Sequence, residues 1–175
     1  MNSRGYTIIE LLAVISILII ISGVITGILY STLRGSNKVK ITTELSQNGT
    51  YALSLINSAI NDSRNITQVA GQDINDCTAA PSGTSLTLKR LDGGTTLLSC
   101  SNGTISSNSA ALINTDQVKV VDNSCLFSCS QQASDPYAFP IITVKFALSD
   151  KNAVGSESQG SATFQTSASL NNYSP

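Results

Sequence analysis

One carboxylate stands inside an otherwise apolar run. The segment Gly5-Tyr6-Thr7-Ile8-Ile9-Glu10-Leu11-Leu12 leads into apolar residues that continue to Leu29 and Tyr30, and Glu10 is the sole charge between positions 8 and 29. At the centre of a bilayer a carboxylate costs about 2.5–3.5 kcal/mol, and less near an interface. Two arrangements lower that cost. Close to a helix start, Glu10 reaches head groups and the positive end of the helix dipole. Alternatively it pairs with a cation from another copy of the chain, such as a free α-amino group. Either way the chemistry on offer is electrostatic pairing, with no bond made or broken.

The four cysteines, Cys77, Cys100, Cys125 and Cys129, admit three disulfide pairings. Proximity along the chain favours Cys77 with Cys100 and Cys125 with Cys129, each bridge typically contributing about 2–4 kcal/mol. A zinc site is the rival, disfavoured by uneven spacing and by the absence of histidine from the sequence. Without histidine no Ser-His or Cys-His nucleophile can form, and no glycine-rich phosphate loop is present. The expectation is a protein that is not an enzyme and carries no cofactor or metal. Asp150-Lys151-Asn152-Ala153-Val154-Gly155-Ser156-Glu157 has oxygen ligands at alternate positions and a late glutamate. Val154 breaks the alternation and the loop is shorter than the twelve-residue calcium form, so a solvated loop is expected. Beyond residue 40 six basic residues face ten acidic ones, a net charge of −4 that is the wrong sign for a nucleic-acid surface. Asn-x-Ser/Thr triplets begin at Asn48, Asn61, Asn65 and Asn102, among others, a pattern common by chance in so Ser/Thr/Asn-rich a chain.

The element that carries Glu10 is long. Residues 8–29 make roughly 33 Å of helix at about 1.5 Å per residue, enough to cross a hydrocarbon core. That exceeds the apolar region of a cleaved secretory signal, and no small-x-small cleavage site follows it. Gly23 and Gly27 either provide a small-xxx-small face for close helix packing or mark a weak segment that can unwind. After a polar patch over residues 31–40, helical periodicity resumes at Ile41, Leu45, Ala52, Ile56 and Ile60, with Leu53 and Ala59 widening the stripe. The helix is expected to fray between Asp62 and Gly71, where Asn65 also interrupts the pattern.

From Cys77 the period becomes strand-like. Residues 85–91 and 95–100 flank an Asp92-Gly93-Gly94 turn, and Ser101-Asn102-Gly103 turns into Thr104-Ile105. After a polar, serine-rich link come Leu112-Ile113 and a strand around residues 117–121, then strands at 141–148 and 162–170, with loops over 124–132 and 150–160. The predicted fold class is α+β: a long N-terminal helix, membrane-spanning in its first half and amphipathic in its second, packed on a C-terminal antiparallel β-sheet with one wet face.

The N-terminal residues resemble a known family. A short polar leader (Met1-Asn2-Ser3-Arg4-Gly5), an aromatic residue, Thr, two aliphatics, Glu and a long apolar helix look like the signal of type IV prepilins and of the pseudopilins of type II secretion. The aromatic is Tyr6 where Phe is usual. The resemblance implies that a prepilin peptidase cuts between Gly5 and Tyr6 and methylates the new N-terminus of Tyr6. It further implies that Glu10, the fifth mature residue, neutralises a neighbour's N-terminal amine during assembly. Ile56-Asn57-Ser58-Ala59-Ile60, Asp116-Gln117-Val118, Pro140-Ile141-Ile142-Thr143-Val144 and Phe164-Gln165-Thr166-Ser167-Ala168-Ser169-Leu170-Asn171-Asn172 are similar to segments of the minor pilins and minor pseudopilins.

The organisation so implied is a leader at 1–5, a transmembrane or fibre-core helix at 6–30, the amphipathic helix half at 31–70 and an extracytoplasmic β-rich domain at 71–175. The implied role is a structural subunit, minor in kind, of a type IV pilus or pilus-like machine. Its implied partners are the prepilin peptidase, other pilin subunits, the inner-membrane assembly platform and, before assembly, membrane lipid. It would be a single-pass protein of the cytoplasmic membrane with its C-terminal domain outside, then part of a pilus or pseudopilus. Arg34, Lys38 and Lys40 beyond the apolar helix against Arg4 before it argue for the opposite orientation; the resemblance and the cysteines outweigh them. The alternatives are a pilin-anchored surface adhesin or binding module, and a minor pseudopilin of a type II secretion system.

Overall fold

The computed structural model describes residues 7–132, 138–152 and 160–173. The chain divides into two compact units, Met1–Lys40 and Ile41–Pro175, and one helix, α1 (Ile8–Asn61), contributes to both. The apolar first stretch of α1 has no interior of its own. Every described residue up to Lys40 is exposed.

In the second unit α1 buries Leu45, Gly49, Ala52, Ile56 and Ile60, three or four positions apart and therefore on one face. That face meets two antiparallel sheets. The first comprises β1 (Ser63–Val69), β2 (Gln72–Asp73), β4 (Ser85–Arg90), β5 (Thr95–Ser101), β6 (Thr104–Ser107) and β7 (Ala110–Ala111) in the order β2-β1-β4-β5-β6-β7. The second comprises β3 (Ser82–Gly83), β8 (Val118–Val120), β9 (Leu126–Ser130), β10 (Ile141–Asp150) and β11 (Ser161–Ser169) in the order β11-β10-β9-β3, with β8 also paired to β10. The fold is α+β, with a long helix followed by a β-rich part. Ile142, Val144, Phe146 and Leu148 alternate into the core from β10, beside Phe127 of β9, and share one buried cluster with Leu86 and Leu88 of β4.

Three expectations require correction. The helix does not fray towards Gly71: it ends at Asn61 and β1 follows directly. The end is capped, because the Ser63 hydroxyl donates to the Ala59 carbonyl at 2.6 Å and Leu91 N–H takes the Asp62 carbonyl at 3.0 Å. Register shifts between Ser63 and Asn65 and between Ile66 and Gln68 leave Ser63, Ile66 and Val69 buried. A bulged strand thus shows a three-residue period, which in sequence resembles a continuing helix.

Residues 126–130 form a strand, not part of a loop, and its core-facing alternation is carried by Phe127 and Cys129. The cysteines accordingly pair as Cys77–Cys129 and Cys100–Cys125, with Cα separations of 5.4 and 6.3 Å. Pairing Cys125 with Cys129 would require bridging four residues of nearly extended chain, about 13 Å, twice the reach of a disulfide. Finally, the hairpins do not join into one sheet. They form two, and Cys100–Cys125 ties β5 of the first to the residue preceding β9 of the second.

Candidate assembly helix

Thr7 starts α1: its carbonyl accepts from Glu10 N–H at 3.1 Å and Leu11 N–H at 3.2 Å. Glu10 therefore lies in the first turn, where the unsatisfied N–H groups and the helix dipole favour a carboxylate. Its side chain is exposed, and among the described residues it has no ion-pair partner. Gly5 and Tyr6, the expected cleavage and methylation positions, lie outside the described residues.

The surface beyond Glu10 is apolar all round. The most apolar 18-residue window of α1 has a mean hydropathy of 2.9 and no buried residue. Ile8, Ile9, Ile19 and Ile20 are each about two-thirds exposed or more. A helix coated this way is at home in lipid or among other apolar helices. The hydroxyls inside it are satisfied within the helix: Ser16 donates to the Leu12 carbonyl, Thr26 to Ser22 and Thr32 to Ile28, each at 2.8 Å. This lowers the cost of taking them out of water. Helical geometry runs unbroken through Gly23 and Gly27, and at both a Cβ would meet open space. The two glycines thus offer a flat strip on which another helix backbone can approach closely.

Several polar groups of the β-rich unit are held by hydrogen bonds within it. Asp150 accepts from Asn152 N–H at 2.8 Å, Lys151 Nζ donates to the Thr115 carbonyl at 2.7 Å, and Asn152 donates to the Asp116 carbonyl at 3.2 Å. The rest of the calcium-like stretch, 153–157, lies outside the described residues. A nearby cleft of about 360 Å³ is lined by charges of both signs, Lys119, Asp122, Asp150 and Lys151. Asp76 accepts from the Thr78 hydroxyl at 2.6 Å and Thr78 N–H at 3.0 Å, and these donors hold its carboxyl below the usual aspartate range.

Sequence reasoning missed the residues that seat α1 on the sheets. Asn48 accepts Asn114 N–H at 2.7 Å while its own amide donates to the Glu44 carbonyl at 2.9 Å, so one potential glycosylation amide is already engaged. Asn57 accepts from the Thr166 hydroxyl of β11 at 3.2 Å. Gly49 lets the Phe164 ring rest on the helix backbone. The available signal was Asn48-Gly49, two poor helix formers inside a strong helical pattern, which calls for a packing reason. No protein-family model, curated protein or solved structure matches the chain significantly.

Proposed function

We propose that this chain is a non-catalytic structural subunit, of the minor kind, of a type IV pilus or pilus-like machine. The observation that carries the reading is the first stretch of α1: an apolar surface exposed on all sides, with one carboxylate in its first turn and a disulfide-bonded β-rich unit after it. After cleavage between Gly5 and Tyr6, Tyr6 carries a methylated amine, and Glu10 of an incoming subunit meets the amine of a neighbour within a bundle of apolar helices. In low dielectric that attraction exceeds its value in water, and an unmatched Glu10 remains costly, so register is enforced partly by penalty. Lipid covers the helix before assembly, and other subunits cover it afterwards.

The test is intact-mass and N-terminal peptide analysis of the membrane-extracted protein, with and without the prepilin peptidase. A peptidase-dependent chain beginning at N-methyl-Tyr6 is expected. An uncut Met1, or a cut beyond Tyr30, would make the segment an ordinary anchor or export signal and end the assembly reading.

A further inference from the structure

Sheet edges expose unpaired N–H and C=O groups, and proteins blunt them with short strands, charges, proline or bulges. Three edges here are short: β2, β7 and β3 have two residues each. β11 is the exception. It has nine residues, pairs with β10 along its whole length without a register shift, and contains neither a charge nor a proline.

The pairing phase follows from one bond. Leu170 N–H donates to the Pro140 carbonyl at 3.1 Å, and the register continues Ala168 with Ile142, Thr166 with Val144 and Phe164 with Phe146. Antiparallel hydrogen-bonded pairs alternate, so the even-numbered residues of β11 spend their backbone groups on β10. Ser161, Thr163, Gln165, Ser167 and Ser169 aim theirs off the sheet; the first four are exposed and Ser169 is half-buried. Among the described residues no strand occupies that edge.

The sequence of β11 indicates what would. Read outward from Gln165, it runs Phe164 and Thr166, Thr163 and Ser167, Ala162 and Ala168, Ser161 and Ser169. It is nearly a palindrome in size and polarity. We infer that β11 is a self-pairing edge: two copies of this chain join β11 to β11 about a two-fold axis through Gln165. Serine then meets serine, threonine meets serine and Gln165 meets itself, in five hydrogen-bonded pairs whose donors and acceptors are those aimed off the sheet. Lys145, beside Gln165 on β10, would lie about 14 Å from its counterpart, three strand spacings away. That exceeds the screening length of about 8 Å in physiological salt, so like charge does not oppose the contact.

The pairing also has a direction. Gly160 lies against Ile41 and Leu45, Phe164 over Gly49, and Thr166 reaches Asn57, so residues 41–57 of α1 run the same way as β11. Antiparallel pairing therefore joins copies whose helix segments run oppositely. It is a contact between copies of opposite direction, not between copies sharing one. The inference goes beyond the pilin-like reading and does not depend on it.

Single cysteines in the purified full chain in detergent test it. Gln165→Cys should cross-link to itself under mild oxidation, because paired Cα atoms stand about 5.5 Å apart. Thr163→Cys and Ser167→Cys alone should not, since their counterparts would be roughly 13 Å apart, whereas a mixture of the two should form the mixed dimer. Peptide mapping must show both native bridges retained. Efficient cross-linking of Thr163→Cys to itself would mean parallel pairing and overturn the two-fold. Absence of a Gln165→Cys dimer in a natively bridged protein would overturn self-pairing. Without cysteine chemistry, Gln165→Lys and Gln165→Glu should each run as monomers, and mixing them should restore the doubled mass. Failure to recover it would count equally against the edge.

Discussion

Gly49 shows how one missing side chain organises a contact. A Cβ at this position would overlap the Phe164 ring, and that ring cannot simply swing aside because it stacks on Phe146 with centroids 5.6 Å apart. Gly49→Ala gains about 1 kcal/mol of helix propensity, but overpacking costs about 1–3 kcal/mol. Net destabilisation is expected in chemical denaturation of the full chain, with Phe164→Leu recovering part of the loss; a stabilised Gly49→Ala would show that the ring yields freely. In the proposed assembly Glu10 makes the opposite case, a group whose value would lie outside its own chain. Glu10→Ala should leave cleavage intact and reduce incorporation into fibres, and normal incorporation would sink the amine pairing. Of these two residues only Glu10 stood out in the sequence, because a charge in an apolar run needs no partner to be noticed, whereas Asn48-Gly49 signalled a packing reason without its partner. The role of Gly49 depends on a ring 115 positions away, which no local pattern encodes. Asp76 adds a pH dependence. Its lowered pKa means that the bonds from Thr78 stabilise the folded state above the unfolded aspartate pKa, and that this contribution is lost as pH falls through the folded value. Thr78→Val should move the Asp76 titration upward, read from its side-chain carboxyl carbon by NMR. An unchanged titration would assign the shift to the backbone donor alone.

Among the elements, those with plain alternation were readable and those with broken periods were not. β4, β5, β10 and β11 fall within a residue or two of expectation because Leu86 and Leu88, or Ile142 to Leu148, obey a period of two. β1 was hidden by its bulges, and β9 by an apolar face built partly from cysteine. The bridges follow from β9, and the loops they close, with sequence separations of 52 and 25, correspond to about 4 and about 3.5 kcal/mol of chain entropy respectively. Cys125→Ser discriminates the pairings directly. The structure predicts a free thiol at Cys100 with Cys77–Cys129 intact, whereas neighbour pairing would free Cys129; alkylation followed by peptide mapping reads which thiol is labelled.

For the whole molecule, the two units draw stability from different sources. Among the described residues every buried one, from Leu45 to Leu170, belongs to the second unit, together with both bridges. Among the described residues the first unit buries nothing, so its helix has no tertiary packing to hold it and relies on an apolar environment to satisfy its surface. A cooperative loss of one unit should therefore leave the other standing. With the full chain in detergent micelles, reductant and urea are expected to abolish the near-ultraviolet signal of the β-rich unit in one transition while much of the helical far-ultraviolet signal persists. The micelle supplies to residues 8–29 what the core supplies to the rest. Simultaneous collapse of both signals would mean that the first stretch of α1 owes its helicity to the folded β-rich unit. That outcome would remove the basis for treating it as a segment ready to exchange lipid for other helices.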